Sequence, residues 1–316
     1  MIAVHAFIQP KGKPLNPLVI LTQYIGVETF RVNNPSCKFH LYTDTYTLNL
    51  YKAVGIDSIY DYVNTEVLDL YPSNRISNVF WASPKLWVMK HLTTPFIMID
   101  TDLVWHGKYD NYMGYSFTYL HRESPSSYPY PHRIQSNNNW VWDDGLRNAF
   151  NQSFPINCCL LIFTDLNFLK KYVDVYFQFV IDNDGNMDVS DDDMFFIHST
   201  GAQTTMEQWL LAAMEYYENE NGYKVTSYSI LDVLAFPDIL RHYNYNKPLK
   251  NLKSEIGSEV YHLWGAKSFY EKGHYEKYIE VRDELTNASL NIIRLSGKNH
   301  QRELVYNLIN QLPIVD

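Results

Sequence analysis

Cysteine and basic charge are both scarce in this chain of 316 residues. Its three cysteines are Cys37 and the adjacent pair Cys158 and Cys159. An odd number with two neighbours makes no disulfide framework, and neither Cys-x-x-Cys nor a zinc-ligand spacing occurs. The thiols are expected to be buried and reduced, which implies a cytoplasmic protein. Lys and Arg number 26 against 35 Asp and Glu, a formal net charge of -9. That balance opposes a broad grip on phosphate backbones, although a local basic groove remains open. No window approaches about 18 consecutive apolar residues, so no membrane span is expected. Met1 to Ile8 carries no basic leader and no cleavage site, and it reads as a strand rather than a signal peptide. The patterns Gly-x-Gly-x-x-Gly, His-Glu-x-x-His and Gly-x-Ser-x-Gly are missing. Nicotinamide, zincin and α/β-hydrolase chemistry therefore have no sequence support.

What is abundant is aromatic surface. Hydrophobic residues make up 46% and charged residues 19%, as in a soluble globular protein, while Tyr, Phe and Trp reach 16%. An aromatic core with a Tyr-rich surface accounts for this, and a surface that stacks flat ligands is the sharper alternative. Apolar runs that suit strands fall at Ile2–Ile8, Phe39–Tyr42, Phe96–Ile99, Tyr115–Leu120, Cys158–Phe163 and Val260–Leu263. Helical patterns lie between the early ones, at Val19–Val32, Thr47–Val54 and Pro84–His91, and a later helix is expected over Glu207–Glu218. This alternation predicts an α/β fold with a mainly parallel sheet in the first half. Ligands of such sheets sit at the carboxyl ends of strands.

Two stretches read as loops. Arg122–Gly145 is longer than a plain connection and carries Tyr128, Tyr130, Trp140 and Trp142, which suits a lid or a binding loop. The other, Asp182 to Asp193, is acidic but lacks Asp at the first position of an EF-hand loop, so it reads as a solvated turn.

The sharpest feature is Phe96-Ile97-Met98-Ile99-Asp100-Thr101-Asp102, a buried strand that ends in two carboxylates. Two residues apart, they point to one face if the backbone stays extended. Two hard anionic oxygens there are what a divalent cation needs, and that cation would hold a diphosphate. Lys85 opens the helix that feeds the strand, Asn157 precedes the strand Cys158–Phe163, and Val260 to Lys267 brings His262, Gly265 and Lys267. His can complete a metal site, Gly allows close backbone approach, and Lys can bind phosphate as a point charge.

Together these motifs resemble the GT-A class of nucleotide-sugar glycosyltransferases, in the branch of glycogenin and the lipopolysaccharide galactosyltransferases, over roughly Ile2 to Lys267. The resemblance implies a Rossmann-like nucleotide-binding sheet, with a catalytic domain over residues 1–267 and a helical C-terminal extension over 268–316. It implies that Asp100 and Asp102 bind manganese or magnesium with His262 as third protein ligand. The donor, a nucleoside-diphosphate sugar and by expectation a uridine one, would meet Lys85, Thr101, Asn157, Gly265 and Lys267. His5 and Asp44 would contact the nucleoside. Glu207 and Gln208 resemble the Asp-Gln pair beside the reacting sugar; an inverting enzyme would use Glu207 as base, and the branch leans to retention. The chain departs from the branch at Cys159 in place of Gly, at Glu207 in place of Asp, and in a His262-to-Lys267 spacing one residue short. The acceptor, a glycan or other hydroxyl compound, would stack on Trp140, Trp142, Tyr128 and Tyr130.

Other readings compete. Asp100 and Asp102 also suit a haloacid-dehalogenase-type phosphatase with Asp192 and Asp193 as late metal ligands, although that motif normally sits on a first strand. A phage-type DNA glycosyltransferase is disfavoured by the acidic balance. A non-catalytic sugar- or nucleotide-binding module is the remaining alternative.

Overall fold

The structure is a computed structural model that describes residues 1–73, 82–123, 144–183, 205–231, 234–235, 260–263, 273–296 and 301–311. The chain divides into two compact units, one of Met1–Asp69, Ile99–Tyr109 and Asp238–Asp316, the other of Leu70–Met98 and Asp110–Pro237.

In the first unit β1 (Ile2–Ala6), β2 (Lys38–Tyr42) and β3 (Tyr62–Asn64) lie in the order β3-β2-β1, all parallel. The connection from β1 to β2 is α1 (Pro17–Asn33). Asn16 starts this helix by accepting the Leu18 amide at 3.0 Å, and Pro17, which has no N–H to leave unpaired, follows it. The helix is buried over nearly its whole middle because other elements cover several of its faces. One is β5 (Leu103–Trp105), approached so closely at Gly26 that an added Cβ would lie 2.7 Å from the Leu103 carbonyl oxygen. Two others are α8 (Tyr275–Ser296) and α9 (Arg302–Asn310), with Tyr24 Oη donating to Gln301 Oε1 at 3.1 Å. α2 (Thr45–Val54) begins on Asp44 and ends on Gly55, whose φ of 79° is the left-handed conformation that closes a helix. A short α3 (Glu66–Asp69) follows β3.

The second unit holds α4 (Ser83–His91) and β4 (Phe96–Ile99, of which Ile99 is counted with the first unit). It continues with β6 (Phe117–Tyr119), β7 (Arg122–Glu123), α5 (Asp144–Gln152), β8 (Leu160–Phe163) and α6 (Leu166–Asn183), and ends in α7 (Leu210–Glu220), β9 (Ser227–Ser229) and β10 (Leu234–Ala235). Its strands run β4-β8-β6-β9, with β8 antiparallel to β6 and β9 parallel to it. β4 and β8 are buried at every position, so they read as continuous apolar runs rather than alternating ones. Phe96, Phe117, Phe163 and Phe168 pack face to face in its core.

The expected α/β fold with parallel strands in its first half is therefore present, and among the described residues many aromatic side chains, Tyr24, Phe39, Tyr51, Trp105 and Phe117 among them, are fully buried. The predicted helix at Glu207–Glu218 differs in one respect. Thr205–Trp209 winds as a π-turn, and the α-helix starts only at Leu210. Cys37, Cys158 and Cys159 are buried thiols, and none forms a disulfide. Among the described residues no helix is long and apolar enough to cross a membrane.

Candidate functional site

Two groups of predicted residues can be built up, one in each unit. In the first unit the chain leaves β4 and turns at once. The Leu103 amide donates to the Asp100 carbonyl at 3.0 Å, closing a tight turn over Asp100-Thr101-Asp102. The backbone does not stay extended here, so the strand alternation expected to align the two carboxylates does not apply. The turn does something else: it leaves Asp100 and Thr101 half-buried and draws Asp102 in to 7% exposure. β5 then pairs antiparallel with β11 (Val260–His262), in a register that sets His262 opposite Leu103. The Leu263 amide donates to the Asp102 carbonyl at 2.8 Å. The backbone of the late His-bearing segment thus lies beside the acidic turn. The His262 side chain, Gly265 and Lys267 lie outside the described residues, as do Tyr128, Tyr130, Trp140, Trp142, Asp192 and Asp193.

His5 occupies the middle of β1 and is fully buried, against Phe39 and Tyr60, with Nδ1 at 2.8 Å from Tyr60 Oη. Burial pushes its pKa down to about 3, in spite of the Asp102 charge, which pulls it up. Its imidazole is neutral and part of the core. Asp44, the other residue assigned to the nucleoside, caps α2 by accepting the Thr47 amide at 2.8 Å.

Two carboxylates in one turn are hard oxygen donors. Among the described residues no three His, Cys, Asp or Glu come together to hold a metal ion. A donor set this small fits a divalent cation that takes its remaining ligands from a bound diphosphate and from water, which is how magnesium-type ions are commonly held.

In the second unit, Lys85 in the first turn of α4 is buried and forms an ion pair with Glu207, itself 2% exposed. Lys85 Nζ also donates to the Cys158 carbonyl at 3.1 Å, and Tyr172 Oη donates to the Glu207 carbonyl at 2.7 Å. Glu207 lies in the π-turn, a distortion that recurs at functional sites. Its neighbour Gln208 is half-buried and accepts the Ile156 amide at 3.1 Å through its carbonyl. Asn157 is buried, donating from Nδ2 to Glu123 Oε1 at 2.8 Å and accepting the Cys159 amide at 3.1 Å. Beside it His121 Nε2 stands 3.8 Å from the same Glu123 oxygen, both side chains buried. The structure therefore brings Lys85, Asn157 and Glu207 into one buried polar region, and it adds His121 and Glu123, which sequence reasoning missed. A signal was available: three consecutive polar residues, His121, Arg122 and Glu123, follow directly on the buried strand end Tyr119-Leu120, as Asp100 follows the buried run Phe96–Ile99.

Residues 29–255 match a family described as a family of unknown function, DUF6734. This chain belongs to the DUF6734 family. The segment that matches DUF6734 contains Asp44, Lys85, Asp100 to Asp102, Asn157, Glu207 and Gln208, whereas His5 precedes it and His262, Gly265 and Lys267 follow it. No curated protein sequence matches the chain. Among solved structures the DUF6734 chain is similar to mouse xyloside xylosyltransferase 1 in its apo form, at 10% identity over 84% of this chain and 98% of that one, with a TM-score of 0.43. It is also similar to the galactosyltransferase LgtC in complex with donor and acceptor sugar analogs, at 12% identity over 86% and 94%, with a TM-score of 0.38. A third is PaToxG glycosyltransferase, at 9% identity over 98% and 86%, with a TM-score of 0.36.

Proposed function

We propose that this protein is a metal-dependent glycosyltransferase of GT-A type, moving a sugar from a nucleoside-diphosphate donor, a UDP-sugar, to a hydroxyl on a glycan or other acceptor. The observation that carries the reading is the acidic turn: Asp100 and Asp102 follow a wholly buried strand directly, and Asp102 is held at 7% exposure beside the β5–β11 ribbon. Transfer breaks the bond between the anomeric carbon and the diphosphate, so negative charge grows on the leaving oxygen. A divalent cation supplies the electrophile that neutralises this charge when bound. Asp100 and Asp102 would hold that cation, with His262 as a further ligand, while Gly265 and Lys267 would receive the diphosphate.

The Lys85–Glu207 ion pair bears on stereochemistry. The Glu207 charge is already balanced inside the protein, and taking a proton from an acceptor would dismantle a buried pair. This favours the retaining course, in which Glu207 is not a base and Gln208 faces the sugar. Trp140, Trp142, Tyr128 and Tyr130 are the proposed acceptor platform. The buried thiols favour a reducing compartment, the cytoplasm.

A thermal-shift panel of nucleotide sugars with and without manganese tests donor binding. A UDP-sugar is expected to raise Tm only when manganese is present, and Asp102→Asn is expected to remove the shift. Indifference to manganese and to Asp102, or hydrolysis of an aryl phosphate that depends on Asp100, would contradict the transferase reading.

A further inference from the structure

The second unit carries an open groove of about 570 Å³ whose wall includes Pro95, Met113, Gly114, Tyr115, Asp165 and Asn167. Pro95 stands just before β4, whereas the acidic turn follows that strand, and among the described residues none of the predicted site residues lines the groove. Its volume lies in the range of small-molecule sites.

The chemistry of the wall is specific. Among the described residues it contains no Lys or Arg, and it presents the Asp165 carboxylate, which disfavours phosphate or carboxylate ligands. Ser116, Thr164 and Thr226 add hydroxyls, which disfavours a purely apolar guest. Among the described residues Asp165 Oδ2 accepts only the Tyr223 hydroxyl, at 2.9 Å, and a carboxylate oxygen can accept a further bond. Among the described residues the exposed Asn167 side chain has no hydrogen-bond partner, which leaves an amide donor and acceptor at the rim. The apolar part of the wall is Pro95, Met113 and Leu166 together with the Tyr115 ring, behind which two further tyrosines pack. Tyr115 packs on Tyr228 with ring centroids 4.9 Å apart, Tyr228 packs on Tyr112 at 5.6 Å, and Tyr228 and Met113 are 40% and 38% exposed.

We propose that this groove is a second saccharide-binding site, taking a neutral sugar unit with one face against Tyr115 and its hydroxyls on Asp165 and Asn167. A pyranose has an apolar C–H face and a polar rim, and a tyrosine platform beside a carboxylate and an amide complements both. The inference stands on the groove alone and not on the transferase reading.

Gly114 gives a clean test, because a Cβ built there meets no atom within 4 Å and its backbone is not in a conformation reserved for glycine. A side chain can therefore start from Gly114 without a clash at Cβ, and Gly114→Trp is expected to crowd the groove that this residue lines. The full chain is mixed with maltohexaose, cellohexaose or hexa-N-acetylchitohexaose and observed by saturation-transfer NMR. At least one is expected to bind the parent chain. Affinity is expected to fall about tenfold in Gly114→Trp, equivalent to roughly 1.4 kcal/mol. Asn167→Ala, an exposed change that does not threaten folding, is expected to weaken binding in the same direction. Binding is expected to persist in Asp102→Asn, and Gly114→Trp is expected to keep any manganese-dependent shift with a UDP-sugar. Absence of binding for all three oligosaccharides, or binding unchanged by both groove variants, overturns the proposal.

Discussion

Replacing Lys85 with Met should be the most costly single change in the second unit. The side chains of Lys85 and Glu207 are 9% and 3% exposed, so neither charge has access to much water. Removing the ammonium leaves a carboxylate buried without its counter-charge, which costs about 3–5 kcal/mol. The Cys158 carbonyl loses its 3.1 Å donor in the same step, adding about 1 kcal/mol. Glu207→Gln on the same background removes the orphaned charge, so the double variant should recover roughly 2 kcal/mol or more of that loss. Urea unfolding of the parent, both single variants and the double variant gives the coupling energy directly. If Lys85→Met costs under about 1 kcal/mol, as for an exposed pair, or if the two changes simply add, then the pair is not the buried, mutually dependent unit described here.

The buried imidazole of His5 should make the first unit acid-sensitive. Its folded pKa of about 3 lies below the ordinary 6.5, so the unfolded chain takes up the proton first. The stabilisation is complete above pH 6.5 and declines as pH falls toward 3, by about 1.4 kcal/mol per pH unit within that window. His106, pushed down to about 4 by burial, adds a slope of the same sign. Unfolding free energies from pH 7 to pH 5 in the parent and in His5→Gln should differ in slope, and equal slopes would count against the assignment. Gly26→Ala should destabilise the first unit by about 1–3 kcal/mol despite the better helix propensity of Ala, because the new Cβ meets the Leu103 backbone rather than a movable side chain. A neutral or stabilised Gly26→Ala in a thermal melt would show that α1 and β5 do not approach as closely as described.

Much of the fold was legible because its elements are locally encoded. Asn16 and Pro17 announce α1, Asp44 and Gly55 bracket α2, and the short apolar runs at Phe96–Ile99 and Leu160–Phe163 suit buried strands. The acidic turn was visible for the same reason, as charge set abruptly after four buried residues. What stayed hidden depends on partners distant in sequence. The engagement of Lys85 by Glu207 is a pairing across more than a hundred positions, and neither residue declares it. The turn geometry at Asp100–Asp102 is another case, since an extended and a turned backbone have the same sequence spacing there. His5 and Asp44 are the reverse case. Their residue types suggested ligand contacts, while their surroundings make one a core imidazole and the other a helix cap. The packing of α8 and α9 on α1, the first helix, is likewise a contact between distant parts of the sequence.

The central claim is tested most directly by donor turnover. Release of UDP from UDP-glucose, UDP-galactose, UDP-xylose and UDP-N-acetylglucosamine is measured with the full chain, with manganese and with excess chelator. The account predicts slow release from at least one donor with manganese, none with chelator, and none from Asp100→Ala or Asp102→Asn chains that melt like the parent. Failure to release UDP from any of the four, or release that survives both chelation and loss of Asp102, would contradict it.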